Sequence, residues 1–255
     1  YQTVYSAIFA LMLFSILRAL FLISYLMKSY RIGPSAISKV SIMAQLQYVA
    51  PLGVSMIAGT ISRHAEKIIL LTYFTATDFA IYSVGNYGIP IGILYLSVGN
   101  VILPQISKSQ DALKSYSLWK KMVIANAIVT IPIVIYFLIM SKYFILQIFG
   151  TEYVDSVPVF NIILLTLPFQ MLGHGYILRG LGETKYIFYA RIIKMLVSVI
   201  LGLVIIRHYG VVGAALTYFT SFVVNVFLQL RKTRLILKLK WLEFIPWKDF
   251  IQLSI

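Results

Sequence analysis

The chain of 255 residues is 60% hydrophobic with a mean hydropathy of +0.89, and only 12% of its residues are charged. A soluble domain needs roughly 25% charged residues to cover its surface, so this composition excludes a soluble globular protein and requires lipid to cover much of the chain. The absence of cysteine excludes disulfides, thiolate metal sites and thiol chemistry, while the net charge of +14 raises nucleic acid as a partner, a reading that the positions of the cations answer below.

Seven apolar runs predict seven membrane spans, at about 4–27, 44–74, 79–106, 118–141, 157–178, 187–207 and 210–230. All are predicted helices, because a segment in lipid must satisfy its own backbone hydrogen bonds. The chain opens on Tyr1 with an apolar run and no signal-peptide pattern, and is read as an internal fragment of a larger protein. Span one carries Arg18 near its middle with no acid nearby. It is too deep to snorkel, so a cavity or a partner helix is expected to hold it.

Span two holds the densest set of ionisable residues, Arg63, His64, Glu66 and Lys67. The apolar stretch 68–74 puts them ~10–16 Å below the outer surface at 1.5 Å per residue. Helical spacing places Ser55, Gly59, Arg63, Glu66 and Lys67 on one small, polar face. Two readings stay open for it: the lining of a cavity, or internal neutralisation with Glu66 paired to Arg63 at i,i+3. Span three aligns Tyr82, Asn86, Pro90, Ser97, Asn100 and Pro104, and the two prolines predict a bent helix whose freed carbonyls line a cavity or absorb a hinge motion. The stretch 107–121, with Trp119 beside two lysines, reads as interfacial.

Span five aligns Thr166, Gln170 and His174. Span six places Arg191, Lys194, Ser198 and Gly202 on one face, with the two cations either snorkelling to the headgroups or lining a cavity. Span seven aligns Thr217, Ser221, Asn225 and Gln229, a pattern expected for helix–helix hydrogen bonding. Residues 238–250, with Trp241, Phe244 and Trp247, read equally as an interfacial helix or as the start of an eighth span.

Lysine and arginine set the orientation. One set of connections carries Lys28, Arg31 and Lys39, then Lys108, Lys114, Lys120 and Lys121, then Arg179 and Lys185, and the tail adds Arg231, Lys232, Arg234, Lys238 and Lys240. The alternate connections hold only Lys142 and Arg207. The first residue is therefore expected outside and the end of span seven in the cytoplasm. The same asymmetry accounts for the basic excess without nucleic acid. The three histidines are far apart, no catalytic triad, paired carboxylates or phosphate-cradling loop stands out, and no cofactor is expected. Deep charges that are mainly cationic suit an anionic ligand crossing the bilayer.

Several stretches carry a family resemblance. They are Tyr48-Val-Ala-Pro51-Leu-Gly, Arg63-His-Ala-Glu66-Lys67-Ile-Ile-Leu-Leu-Thr-Tyr-Phe, Ala80-Ile-Tyr82-Ser-Val, Val101-Ile-Leu-Pro104-Gln-Ile-Ser, Phe149-Gly150-Thr-Glu-Tyr153, Arg179-Gly180-Leu-Gly182-Glu-Thr184-Lys185 and Tyr209-Gly210-Val-Val-Gly213-Ala214-Ala215. In order and spacing, from about residue 40 to 230, the set resembles the C-terminal half of polysaccharide (O-antigen or oligosaccharide repeat-unit) flippases of the multidrug/oligosaccharidyl-lipid/polysaccharide exporter superfamily.

The resemblance implies an all-α polytopic membrane protein of two six-helix lobes around a cavity that opens alternately to each side. Residues 1–30 are then the last helix of a missing N-terminal lobe, 31–43 a cytoplasmic inter-lobe linker, 44–230 the six-helix C-terminal lobe, and 231–255 a basic tail cut short by the end of the sequence. It implies a multi-pass protein of the bacterial or archaeal plasma (inner) membrane. Its function would be non-enzymatic translocation of undecaprenyl-pyrophosphate-linked oligosaccharide, an anionic lipid, with a proton or sodium ion as the candidate coupling ion. Substrate-binding residues expected from this half are Arg63 and Lys67, then Arg18, Arg191 and Lys194, with Gln170, His174 and Asn86 from the uncharged stripes.

Three alternatives remain. A cation-coupled drug exporter of the same superfamily needs unpaired membrane acids, and Glu66 is the one deep acid. A peptidoglycan-precursor flippase shares the fold and an anionic lipid substrate. A membrane polymerase or ligase needs a large polar outer loop, and the longest here, about 142–156, is short.

Overall fold

A computed structural model describes residues 2–30, 39–89, 92–109, 111–173 and 175–240. The described residues contain helices and connecting turns and no strand. The expected interfacial segment around Trp241, Phe244 and Trp247, the tail beyond residue 240, most of the 31–43 linker, Pro90 and His174 lie outside the described residues. Contacts divide the chain into two units, residues 1–47 and 48–255.

The first unit contains α1 (Gln2–Tyr30) and the start of α2 (Lys39–Tyr73). Helix α1 is 29 residues long, ~43 Å at 1.5 Å per residue, enough to cross a ~30 Å hydrocarbon core. Its Phe9, Phe14 and Phe21 are all exposed, the surface of a helix that lipid or protein must cover.

The second unit begins within α2. Thr75 then starts α3 (Ala76–Gly85) with a capping box: Asp78 N–H donates to Thr75 Oγ1 at 3.3 Å and Thr75 N–H to Asp78 Oδ2 at 3.0 Å. α4 (Gly92–Ser109) follows after a break. Asp111 caps α5 (Ala112–Phe149), accepting from Leu113 N–H at 2.9 Å. A 3₁₀ turn (Thr151–Tyr153) leads to three short helices, α6 (Ser156–Leu164), α7 (Leu167–Gln170) and α8 (Tyr176–Gly180). α9 (Thr184–Leu237) ends the described chain. By length and composition, three described helices can cross a membrane: α1 over Ile8–Ser29, α5 over Leu113–Phe149, and α9.

Two of the expected spans take a different form. Span three is two helices, α3 and α4, so the chain breaks where a bend was expected. Span five is three pieces, turned by Gly173 (φ 53°) and Gly175 (φ 95°). The carbonyls freed at that break are taken up by α5, where Asn126 Nδ2 donates to Met171 O at 3.1 Å and Trp119 Nε1 to Leu172 O at 2.8 Å. This corrects the interfacial reading of 107–121. Trp119 is 2% exposed because its indole N–H satisfies a broken helix, and it packs with Ile106, Met122, Ile177 and Val226.

Spans six and seven are the two arms of α9, reversed at Gly210 (φ 54°, ψ −131°). A Cβ on Gly213 would lie 2.6 Å from the Ile205 carbonyl oxygen, and one on Gly202 3.7 Å from Thr217 Cγ2. In an unbroken helix positions 202 and 217 would be ~22 Å apart, so the arms form a tight antiparallel hairpin. Its open end is tied by Lys232, whose Nζ is 3.5 Å from Glu183 Oε2 and 5.6 Å from the Tyr186 ring centre.

A second core joins these arms to α2, α3 and α6 through Leu70, Tyr82, Val159, Ile206, Ala214 and Ala215. A third fills the space between α4, α5, α6 and α7, with Tyr95, Ile145, Phe160 and Leu164.

Candidate functional site

The two polar helix faces read separately from the sequence meet in the structure. Arg191 Nη1 donates to Ser55 Oγ at 3.1 Å, Ser198 Oγ donates to Glu66 Oε1, and Ile69 Cδ1 packs against Gly202. Both partners advance together along the chain, so α2 and the first arm of α9 run parallel, as second and sixth spans must in an alternating order. Small residues allow this approach: Ser55, Ala58, Ser62 and Ala65 are all buried on α2.

The buried face of α2 is rotated from the one expected. Glu66 lies fully inside, while Arg63 and His64 are exposed at its edge and Lys67 is half-buried, its Nζ 5.9 Å from the Phe79 ring centre. Among the described residues the i,i+3 pair of Glu66 with Arg63 does not form, Glu66 Oε1 turns instead to Ser198, and its buried Oε2 has no hydrogen-bond partner. Lys194 is buried, with Nζ 5.4 Å from the Tyr218 ring centre and 5.6 Å from that of Phe222. Its charge and that of Glu66 feel each other, and Arg63 lies within electrostatic reach of both Lys194 and Arg191. Neither Arg191 nor Lys194 snorkels free: one is held by Ser55 and the other by aromatic faces.

Beside this joint, Asn86 and Gln170 line a common cavity of about 160 Å³ with Thr166, Tyr87, Phe160 and Tyr218. The cavity sits at two helix breaks, the gap between α3 and α4 and the junction of α6 with α7, where unwound backbone in a membrane protein is tolerated because it lines a cavity. Gln170 Nε2 donates to Thr166 Oγ1 at 3.1 Å.

Tyr218 lines the cavity and carries the Lys194 ammonium on its ring, linking the two regions. The sequence reading missed it because it lies one position off the Thr217–Ser221–Asn225 stripe; its i,i+4 spacing to Phe222 was the available signal. That stripe is buried, and its hydrogen bonds run within the helix, from Ser221 Oγ to Tyr218 O and from Gln229 Nε2 to Asn225 Oδ1. Arg18 is exposed midway along α1 in the first unit. Among the described residues no group of His, Cys, Asp and Glu could hold a metal ion.

Comparison with known proteins yields a consistent set. A family model described as polysaccharide biosynthesis protein matches residues 2–158. The capsular polysaccharide biosynthesis protein CapF of Staphylococcus aureus is 27% identical over 180 residues, covering 66% of this chain and 44% of that protein. A MOP superfamily transporter from Pyrococcus furiosus superposes with a TM-score of 0.63 at 18% identity, over 79% of this chain and 47% of that one. A multidrug resistance MATE family transporter of the MOP superfamily, in an outward-facing conformation, gives a TM-score of 0.64 at 18% identity, over 79% and 48%. The chain thus spans about half the length of the relatives it matches, and its fold is that of MOP superfamily transporters.

Proposed function

The chain belongs to the polysaccharide biosynthesis protein family, and from that premise we propose that it is part of a flippase moving undecaprenyl-pyrophosphate-linked oligosaccharide across the plasma membrane by alternating access. The protein is a multi-pass membrane protein, and residues 44–230 act as one lobe of a two-lobe transporter, with the N-terminal end of the chain outside and the end of α9 in the cytoplasm. The observation that carries this reading is the joint of α2 with α9. It sets Lys194 within electrostatic reach of the buried acid Glu66 and of Arg63 and Arg191, and Lys67 follows Glu66 on α2. Each charge in a membrane helix costs about 2.5–3.5 kcal/mol on insertion, and a surplus of cations at that cost fits a pyrophosphate that completes the neutralisation. Arg63, exposed at the edge, and Lys67 make the direct contacts; Arg191 and Lys194 hold the field behind them.

The joint also weighs against a cation-coupled drug exporter, since its acid faces the Lys194 cation. The test is complementation. The intact protein carrying Arg63→Ala and Lys67→Ala inserts in the membrane at wild-type level and fails to restore surface polysaccharide to a deletion strain. Wild-type export from that variant overturns the assignment of the joint.

A further inference from the structure

The cavity at the helix breaks differs in chemistry from the cationic joint beside it. Among the described residues no Asp, Glu, Lys or Arg lines it. The Asn86 side-chain amide and the Tyr218 hydroxyl make no hydrogen bond among the described residues. Gln170 spends one N–H on Thr166 and leaves its second N–H and Oε1 for the cavity. Phe160, Leu164 and Leu167 supply a buried apolar wall.

Three ligand classes can be weighed against this lining. An anion finds no cation here. An apolar molecule leaves the two amides unpaired, which is the costly error for buried polar groups. A sugar ring suits both parts, because its hydroxyls donate and accept, as amides do, while its C–H face lies on apolar and aromatic surface. The volume of about 160 Å³ holds about five waters and is roughly half of the smallest drug-sized sites, so one ring fits and a whole repeat unit does not.

We propose that this cavity is a subsite for one uncharged sugar ring of the translocated glycan, bound through the amides of Asn86 and Gln170. The proposal rests on the flippase reading. Tyr218 lines the cavity and carries the Lys194 ammonium on its ring, so the sugar held here is the one next to that cation and bonded to the pyrophosphate. The subsite makes Asn86 and Gln170 specificity-determining residues: they read the first sugar and leave the rest of the glycan unread.

The test uses the intact protein in proteoliposomes and two probes, a polyprenyl pyrophosphate carrying one N-acetylhexosamine and the same lipid without sugar. Wild type is expected to translocate the sugar-bearing probe faster. Asn86→Ala, and separately the near-isosteric Gln170→Met, lose about tenfold on that probe, as expected when a polar group loses its partner, and keep the rate on the sugarless lipid. Asn86 holds no side-chain bond among the described residues, so its variant tests the subsite if Gln170→Met unfolds. An equal fall on both probes, or no change on either, overturns the subsite and leaves the flippase reading standing. Failure of the wild type to move either probe overturns both.

Discussion

Ser198 Oγ donates a 2.5 Å hydrogen bond to Glu66 Oε1, joining α2 to the first arm of α9 across 132 residues of sequence. Both residues are fully buried, and among the described residues Glu66 Oε2 has no hydrogen-bond partner. Ser198→Ala removes the side-chain bond to that carboxyl group and is expected to destabilise the protein by about 1–3 kcal/mol. Thermal unfolding of the detergent-solubilised intact protein reads this directly. Glu66→Gln keeps an acceptor for Ser198 and is expected to cost less. An unfolding temperature lower for Glu66→Gln than for Ser198→Ala would contradict the bonding described.

The hairpin at Gly210 makes a second claim about stability. Gly213 is the tighter position, since its Cβ would press on the backbone oxygen of Ile205, which cannot swing away. Gly213→Val is expected to cost about 1–3 kcal/mol through overpacking. Gly210→Ala, with φ at 54° and the Phe74 ring at 3.4 Å from the new Cβ, is expected to cost about 1–2 kcal/mol from the left-handed backbone alone. The order of the two unfolding temperatures checks which constraint dominates.

Lys194 separates fold from function. Lys194→Met, made together with Glu66→Gln, keeps the length of the stem between Tyr218 and Phe222 and removes both facing buried charges. Replacing two facing buried charges by neutral groups of similar shape is often neutral or stabilising, whereas removing one alone leaves the other uncompensated. The variant is expected to unfold no earlier than wild type while surface polysaccharide falls at least about tenfold, given that a membrane charge is a functional group by default. Full export would leave the two buried charges without a functional part.

How much of this was legible beforehand follows from what helical spacing can carry. Spacing alone put Arg191, Lys194, Ser198 and Gly202 on one face, and that face is the one that meets α2. It could not say that Ser55 and Glu66 are the partners, because pairing between helices distant in sequence is a matter of topology. On α2 the reading turned the face towards Arg63 and Lys67. The structure buries Ser55, Ala58 and Ser62 instead, since small residues let two backbones approach and long cations do not. Trp119 was misread for a related reason: an indole among lysines looks interfacial, and only the break at residues 171–175 gives its N–H a buried acceptor. That break carries a local signal in Gly173 and Gly175, whereas the gap between α3 and α4 is marked by Gly88 and Pro90 without showing that the helix stops.

One pH effect belongs outside the membrane spans. Hydrogen bonds from the Thr75 side chain and backbone hold the Asp78 carboxyl below its ordinary value. A depressed folded value adds stability that is present above the unfolded value, about 3.9, and is lost as pH falls through the folded one. Thr75→Ala is therefore expected to cost about 0.5–2 kcal/mol at neutral pH, and the gap to wild type is expected to narrow below pH ~4. A gap that widens on acidification would contradict the capping box.

The most direct test of the central claim is made in the native cell: the gene for the intact protein is deleted and the lipid-linked saccharides of each membrane leaflet are analysed by mass spectrometry. The flippase reading predicts that complete undecaprenyl-linked repeat units accumulate on the cytoplasmic side and that surface polysaccharide is lost. Normal delivery of those units, with surface polysaccharide unchanged, would contradict it.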